Sequence, residues 1–445
     1  MCYYILRNIS VKGIFMDKNT LEKTEKDKYA FSRLMYIIEA ALEYFVSIAV
    51  GGVFLAQITK SIGISDAVTG IITAFVSLGC GFQIIALFLA HRKPVKKWVT
   101  LGHIISQALF VTMYFVPLLN ASKTTKTLLL ILTLFAAQII HNAINSPKIN
   151  WCMSLVDDNK RGDFTANKEI VSLIGGMLFS YGLGVIMDRL ENKVAFVVVG
   201  VILFVLMGLH TLTLVLTKEK TSERVSVNVK KSIGELVKNK TLLKIIIVFV
   251  LWNIANYATV SFSGAYQINT LGFTTVFASV IGAISSIARV IFSKPIGRFA
   301  DKHSFYKMLY ICFGIEALAF FINIFTVPEN GKIMFTAYSI IHAIGQAGIN
   351  SAIINLAYDY VSDEQKIGAV ALVNTFSGFA GFFTTLALSP LVAKIQNNGN
   401  KLFGIKMQAQ QLLSVFSLIA TLTIILYLYT VIRKIPNKKT DKDTV

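Results

Sequence analysis

The chain is 445 residues long, 54% hydrophobic and only 15% charged, with a formal net charge of +19. That is too apolar for a soluble domain of this length, and the charges cluster between apolar stretches of roughly 20 residues, the length that crosses a bilayer. Lys and Arg concentrate in the termini and alternate loops, so the basic balance reads as membrane topology with both termini in the cytoplasm, and nucleic-acid binding is excluded.

In chain order the apolar stretches fall near 35–59, 67–90, 98–119, 127–153, 168–188, 194–217, 243–268, 274–296, 307–326, 333–359, 367–393 and 408–432, twelve in all. The predicted fold is an all-α membrane protein. A cytoplasmic segment (1–34) leads into a six-helix bundle (35–217), a cytoplasmic linker (218–242), a second six-helix bundle (243–432) and a cytoplasmic tail (433–445). No cleavable signal peptide is visible, and Met16 offers a second candidate start. In the linker, Ser232-x-x-Glu235 has capping-box form, and Val229, Ile233, Leu236 and Val237 share one helical face, which predicts a short amphipathic helix on the membrane surface. Cys2, Cys80, Cys152 and Cys312 show no metal-ligand spacing and read as reduced, small apolar residues.

The two halves repeat one another. Ile144-Asn145-Ser146-x-x-Ile149-Asn150 returns as Ile349-Asn350-Ser351-x-x-Ile354-Asn355, and the same spacing carries Asp158 onto Asp363, Ser172 onto Ser377 and Gly176 onto Gly381. Such duplication in an apolar chain predicts a transporter of two equivalent bundles related by a pseudo-twofold axis along the membrane normal. Helices five and eleven carry matching small-residue ladders, Ser172, Gly176, Ser180, Gly184 and Ser377, Gly381, Thr385, Ser389. These allow close approach of neighbouring helices, in static packing or at a moving interface.

After helix eight, Gly297-Arg298-Phe299-Ala300-Asp301-Lys302-His303, followed by Lys307, resembles the G-x-x-x-D-R/K-x-G-R/K-R/K signature of the major facilitator superfamily. Twelve helices, inside termini and a central linker extend the resemblance over nearly the whole chain. It implies a gating role for Gly297, Arg298, Asp301 and Lys302, with Asp301 holding the cytoplasmic side closed against the start of helix five, near Thr165 to Lys168. The first-half copy departs from the pattern, with His91 where the aspartate belongs, and Gly175-Gly176 lacks the preceding proline of many drug antiporters in the family.

The resemblance also implies that helices one, four, seven and ten line the cavity, and these helices carry costly intramembrane polar groups. Glu39, Glu43 and Ser47 share a face of helix one; His141, Asn145 and Lys148 share a face of helix four, with Asn142 beside them. Helix seven offers Trp252, Asn253, Asn256 and Tyr257, and helix ten His342, Gln346 and Asn350. Helical rise places Glu39 level with Lys148, as a structural or working ion pair. Glu43 has no evident cation at its own depth, and burial without a partner disfavours the charged form of a carboxyl, as a proton carrier requires. Arg289 and Glu316 form a structural pair or, alternatively, an anion site; His103 and His210 read as satisfied packing residues; and Pro147 bends helix four.

Amides, imidazoles and an indole or phenol suit a sugar, glycoside or nucleoside. The expected function is secondary active transport at the cell membrane, as proton-coupled uptake, with an exporter of drugs or metabolites as the alternative. Substrate-binding residues are His141, Asn142, Asn145, Trp252, Asn253, Asn256, Tyr257, Gln346 and Asn350; Glu43 and Glu39 couple protons. Expected partners are a small-molecule substrate, the lipid bilayer and protons, with a monomer as the working unit and no cofactor or metal. The rival classes are a membrane enzyme, for which no catalytic motif is visible, and a receptor that has lost transport.

Overall fold

The computed structural model describes residues 28–89, 94–157, 160–220, 229–362 and 365–435. Twelve membrane spans follow one another. Span 1 comprises Ala30–Ala49 and Gly52–Ile62, and span 2 comprises Asp66–Thr73, Phe75–Gly81 and Gln83–Leu89. Spans 3 to 6 are Val95–Thr112, Lys123–Met153, Arg161–Arg189 and Asn192–Leu216. Spans 7 to 12 are Lys240–Ala265, Thr275–Lys302, Phe305–Ile324, Gly331–Asp359, Lys366–Asn397 and Ala409–Thr430. Among the described residues, ten helices are long and apolar enough to cross a membrane, and Val95–Thr112 and Gly331–Asp359 fill the third and tenth places.

Local sequence sets many of the helix ends. The side-chain oxygens of Ser122, Asn239, Thr274 and Ser304 accept from backbone N–H groups in the first turns of spans 4, 7, 8 and 9, satisfying donors that a helix leaves unpaired. Gly63 ends span 1 with a left-handed φ of 80°, which a side chain would resist. Span 5 begins at Arg161 and span 8 ends at Lys302, each beyond the apolar stretch that announced it, because charged residues continue the helix outside the hydrocarbon layer. Pro147 lies inside span 4, which stays helical on both sides of it. Two features carry no apolar signal: a π-helical turn, Tyr266–Thr270, extending span 7, and a two-stranded hairpin, Lys401–Leu402 with Ile405–Lys406. Its two turn residues, Phe403 and Gly404, both have positive φ, the geometry that suits hairpin twist.

Each half has its own core, one built around Phe54, Tyr114, Phe196 and Leu203, the other around Phe249, Phe313, Phe320 and Phe335. Spans 3, 6, 9 and 12 expose apolar side chains such as Leu101, Phe204, Leu318 and Leu426, as a lipid-facing wall must. The bundles meet through spans 2 and 11 and through spans 5 and 8. The repeat maps the first contact onto the second, so the pseudo-twofold relation is built into the interface.

The linker helix is Val229–Lys238. It starts three residues before Ser232, so that residue is no N-cap. Leu236 is buried in the second-half core, Asn239 donates to the Tyr360 carbonyl and Gln365 donates to Glu235. Leu236 and Ile233 of the apolar face therefore dock on protein, where the sequence alone suggested the membrane surface, while Val237 stays exposed. Residues 1–27 and 436–445, which include Cys2 and Met16, and the His91 segment lie outside the described residues.

Candidate functional site

A charged cluster forms inside the first bundle. Glu39 and Glu43 sit one turn apart on span 1 and face Lys148 of span 4. The Lys148 Nζ lies 2.8 Å from Glu39 Oε1 and also contacts Glu43 Oε2. Lys148 is 2% exposed and Glu39 1%, whereas the Glu43 side chain is 20% exposed and reaches the cavity. His210 of span 6 contacts Glu39 at 2.9 Å, and His141 of span 4 stands 3.5 Å from Glu43. His103 packs its ring 3.8 Å from that of His210, centroid to centroid.

This geometry corrects two expectations. Glu43 does have a cation, because the long lysine stem lets one ammonium serve carboxylates a helical turn apart, which a depth estimate from backbone rise overlooks. His103 and His210 are not ordinary packing residues: His210 joins the charge cluster, and neither ring nitrogen of the buried His103 has a hydrogen-bond partner. With neutral imidazoles the cluster holds two carboxylates and one ammonium, one negative charge in excess. Glu39, Glu43 and His210 present ligand atoms within 4.8 Å of one another, but Lys148 already occupies the carboxylates where a metal ion would bind.

Three neighbouring compartments lie along span 1: the first is within the first bundle beside spans 4 and 5, the second between spans 1, 5 and 8, and the third reaches spans 7, 8 and 10. The first, about 300 Å³, opens beside the cluster and is lined by Glu43, His141, Asn145, Lys148, Glu169 and Ser172. The second, about 280 Å³, shares Tyr44 and Ser47 with it. The third, about 420 Å³, shares Gly52, Val53 and Gly282 with the second and contains Gln267, Ser285, Arg289, Tyr338, His342 and Gln346. Gln346 donates to Asn256 at 3.4 Å and stands 3.4 Å from His342, so these three converge across spans 7 and 10.

Other predicted residues point elsewhere. Trp252 is 3% exposed and packs on Phe313, Phe320 and His342 within the second-half core. Asn142 is buried against span 2, where it accepts from Gln83 at 3.4 Å. Asn253 bonds to the carbonyl of Phe249 on its own helix. Tyr257 packs beneath Gly381 of span 11. A helix this crowded turns its polar residues to several neighbours, and spacing alone does not rank those faces. The expected Arg289–Glu316 pair does not form: Glu316, fully buried, binds His342 at 2.6 Å, and Arg289 has no ion-pair partner among the described residues. Gly297, Arg298 and Lys302 lie on the final turns of span 8, where Arg298 and Lys302 are exposed. The side chains of Asp301 and Asn350 lie outside the described residues.

The bundles close at the end opposite the termini. Asp188, ending span 5, accepts from the backbone N–H groups of Thr275 and Val276 at 2.9 and 2.7 Å, capping span 8 with a carboxylate. Asp66 accepts from Asn269 at 2.6 Å and Gln396 at 2.7 Å, tying the start of span 2 to the π-helical turn after span 7 and to span 11. Gly264 approaches Gly52 so closely that a Cβ would strike its carbonyl. The ladders serve this contact: Gly184 lies against Val276, Ser389 donates to the Ala67 carbonyl and Thr385 meets Ser261 at 2.7 Å. At the termini end, by contrast, spans 5 and 8 are exposed along much of their length, while Asn374 of span 11 donates to Gln83 of span 2 at 2.8 Å.

Two six-helix bundles, closed at one end around a polar cleft, are the architecture of a two-bundle membrane transporter. The chain belongs to the Major Facilitator Superfamily, whose sequence model matches residues 37–385 and 277–444. Among solved structures, it is similar to the nucleoside transporter NupG (16% identity, TM-score 0.68, covering 91% of this chain and 100% of that one). It is also similar to a D-xylose–proton symporter (12%, TM-score 0.69, 93% and 99%). A third similar structure is a bacterial homologue of the human lysosomal transporter Spinster, inward-facing and occupied (15%, TM-score 0.64, 92% and 97%). No curated protein sequence matches the chain.

Proposed function

We propose that this transporter takes up a small hydroxylated solute, of the sugar, glycoside or nucleoside kind, together with a proton across the cell membrane. The observation that carries the reading is the Glu39–Lys148–Glu43 cluster, which is buried on one side and meets the cavity through Glu43 on the other. Its excess negative charge gives it a place for one proton, shared among the two carboxylates and the adjoining imidazoles. A proton there frees Lys148 from one of its two partners and changes the polarity of the cleft wall. Solute and proton then stabilise each other's binding, as reciprocal linkage requires.

Amide and hydroxyl groups of Asn145, Asn256, Gln346, Ser263 and Ser339 support a hydroxyl-rich solute, with Tyr338 as an aromatic face. Solved nucleoside and xylose–proton carriers of the same fold agree with that reading. The positive-inside pattern puts the termini in the cytoplasm, so the end closed by Asp188 and Asp66 faces outward and Asp301 acts at the inward end.

The test is flux in proteoliposomes under an imposed pH gradient. Wild type concentrates solute and loses that ability with a protonophore. Glu43→Gln retains downhill exchange and loses concentration against a gradient. Wild-type accumulation that ignores the pH gradient rejects proton coupling, and accumulation preserved in Glu43→Gln removes Glu43 from the role.

A further inference from the structure

Arg289 stands about 20 Å by helical rise from either end of span 8, inside the apolar stretch of that helix. A guanidinium does not lose its proton in a protein, so this charge is permanent, and an unpaired charge at that depth is costly. Acidic groups on the surrounding elements are already engaged or lie at another level. Glu316 binds His342, Asp188 caps span 8 at the far end, Glu39 and Glu43 hold Lys148, and Glu169 lines the compartment nearest the termini. Arg289 instead lines the largest compartment, about 420 Å³, and has no ion-pair or hydrogen-bond partner among the described residues.

A second observation points to the same space. Ser285, one turn before Arg289 on the same face, lines that compartment, and its buried hydroxyl has no hydrogen-bond partner. A cation and a hydroxyl donor therefore stand together with nothing to bind, while Gln267, Ser339 and Gln346 add further polar groups and Tyr338 an aromatic face.

We infer that the solute carries a carboxylate and that Arg289 binds it, with Ser285 as an accessory donor; the substrate class is a sugar acid, a monosaccharide-sized polyhydroxylated monocarboxylate. This rests on the transporter reading above and narrows its solute. The planar guanidinium matches a carboxylate with two parallel N–H···O bonds, and one permanent charge balances one carboxylate. A dianionic phosphate ester would leave the cleft negative beside a cluster that already holds an extra carboxylate.

The experiment measures thermal unfolding and binding of the purified protein with D-glucuronate, D-galacturonate and D-gluconate, against neutral D-glucose, D-xylose and uridine. The acids should raise the unfolding temperature and the neutral compounds should not. Arg289→Gln should weaken binding of the acids by about tenfold or more, as loss of a charge-assisted hydrogen bond implies. Arg289→Lys should retain part of the affinity and guards against a folding defect in the first variant, and Ser285→Ala should weaken binding severalfold. Stabilisation by neutral compounds alone, stabilisation by none of the six, or acid binding undiminished in Arg289→Gln would each overturn the proposal. Acid binding without any solute accumulation in proteoliposomes would uphold the ligand class and reject the transport reading, so the two fail separately.

Discussion

His342 meets Glu316 at 2.6 Å inside the second bundle, and that contact decides the chemistry of the neighbouring cleft. It engages one oxygen of a carboxylate with no exposure of its own and leaves Arg289 facing the cavity without a counter-charge. Removing the imidazole should strand a buried acid. His342→Ala is therefore expected to destabilise the protein by about 3 kcal/mol, and Glu316→Gln/His342→Ala should recover part of the loss. Thermal unfolding of the two variants in detergent checks the order; a double variant less stable than His342→Ala contradicts it.

Lys148 plays the matching part in the first bundle. Lys148→Met leaves Glu39 and Glu43 together with no lysine between them, and a loss of about 3–5 kcal/mol is expected. Adding Glu39→Gln should restore folded, monodisperse protein, because one buried carboxylate is easier to neutralise than two. Size-exclusion profiles and unfolding temperatures of the single and double variants measure this.

The far-end closure depends on Asp188 at the start of span 8. Asp188→Asn keeps an acceptor and removes the charge that complements the helix terminus. A cost of about 1 kcal/mol corresponds to roughly a fivefold larger population open at that end. A cysteine introduced as Ser263→Cys, which lines the third compartment, should then react faster with a membrane-impermeant maleimide from that side.

Gly264 should tolerate no side chain. Gly264→Val places carbon atoms where the Gly52 carbonyl lies, so the closed far end cannot form and solute counterflow should fall by at least about tenfold through loss of the closed conformer. Gly314→Ala is the control, since nothing lies within 4 Å of a Cβ there and the residue lines none of the three compartments.

Much of the architecture was legible before any coordinates. Apolar stretches of bilayer length mark the spans, because unpaired backbone groups in hydrocarbon force the chain into helices. The echo of Asn145 in Asn350 marks the duplication. Helical spacing was also enough to put Glu39 opposite Lys148, since both lie a similar rise from the same membrane surface. What distance along a helix does not convey is azimuth and side-chain reach, which is why spacing did not show Lys148 at Glu43 or the burial of Trp252 and Asn142 against neighbouring helices.

Composition, apolar spacing and the internal echo were enough to mark a helical membrane protein of two repeated halves, because apolar stretches answer to the bilayer that every span must cross. Tertiary structure alone decided which polar groups find each other. His210 arrives at Glu39 from span 6 with His103 of span 3 packed on its ring, Glu316 turns to His342, and Arg289 is left to the cleft. Those pairings depend on how each helix is rotated against its neighbours, and that rotation is set by the packing of whole faces, to which no single residue's spacing is a guide.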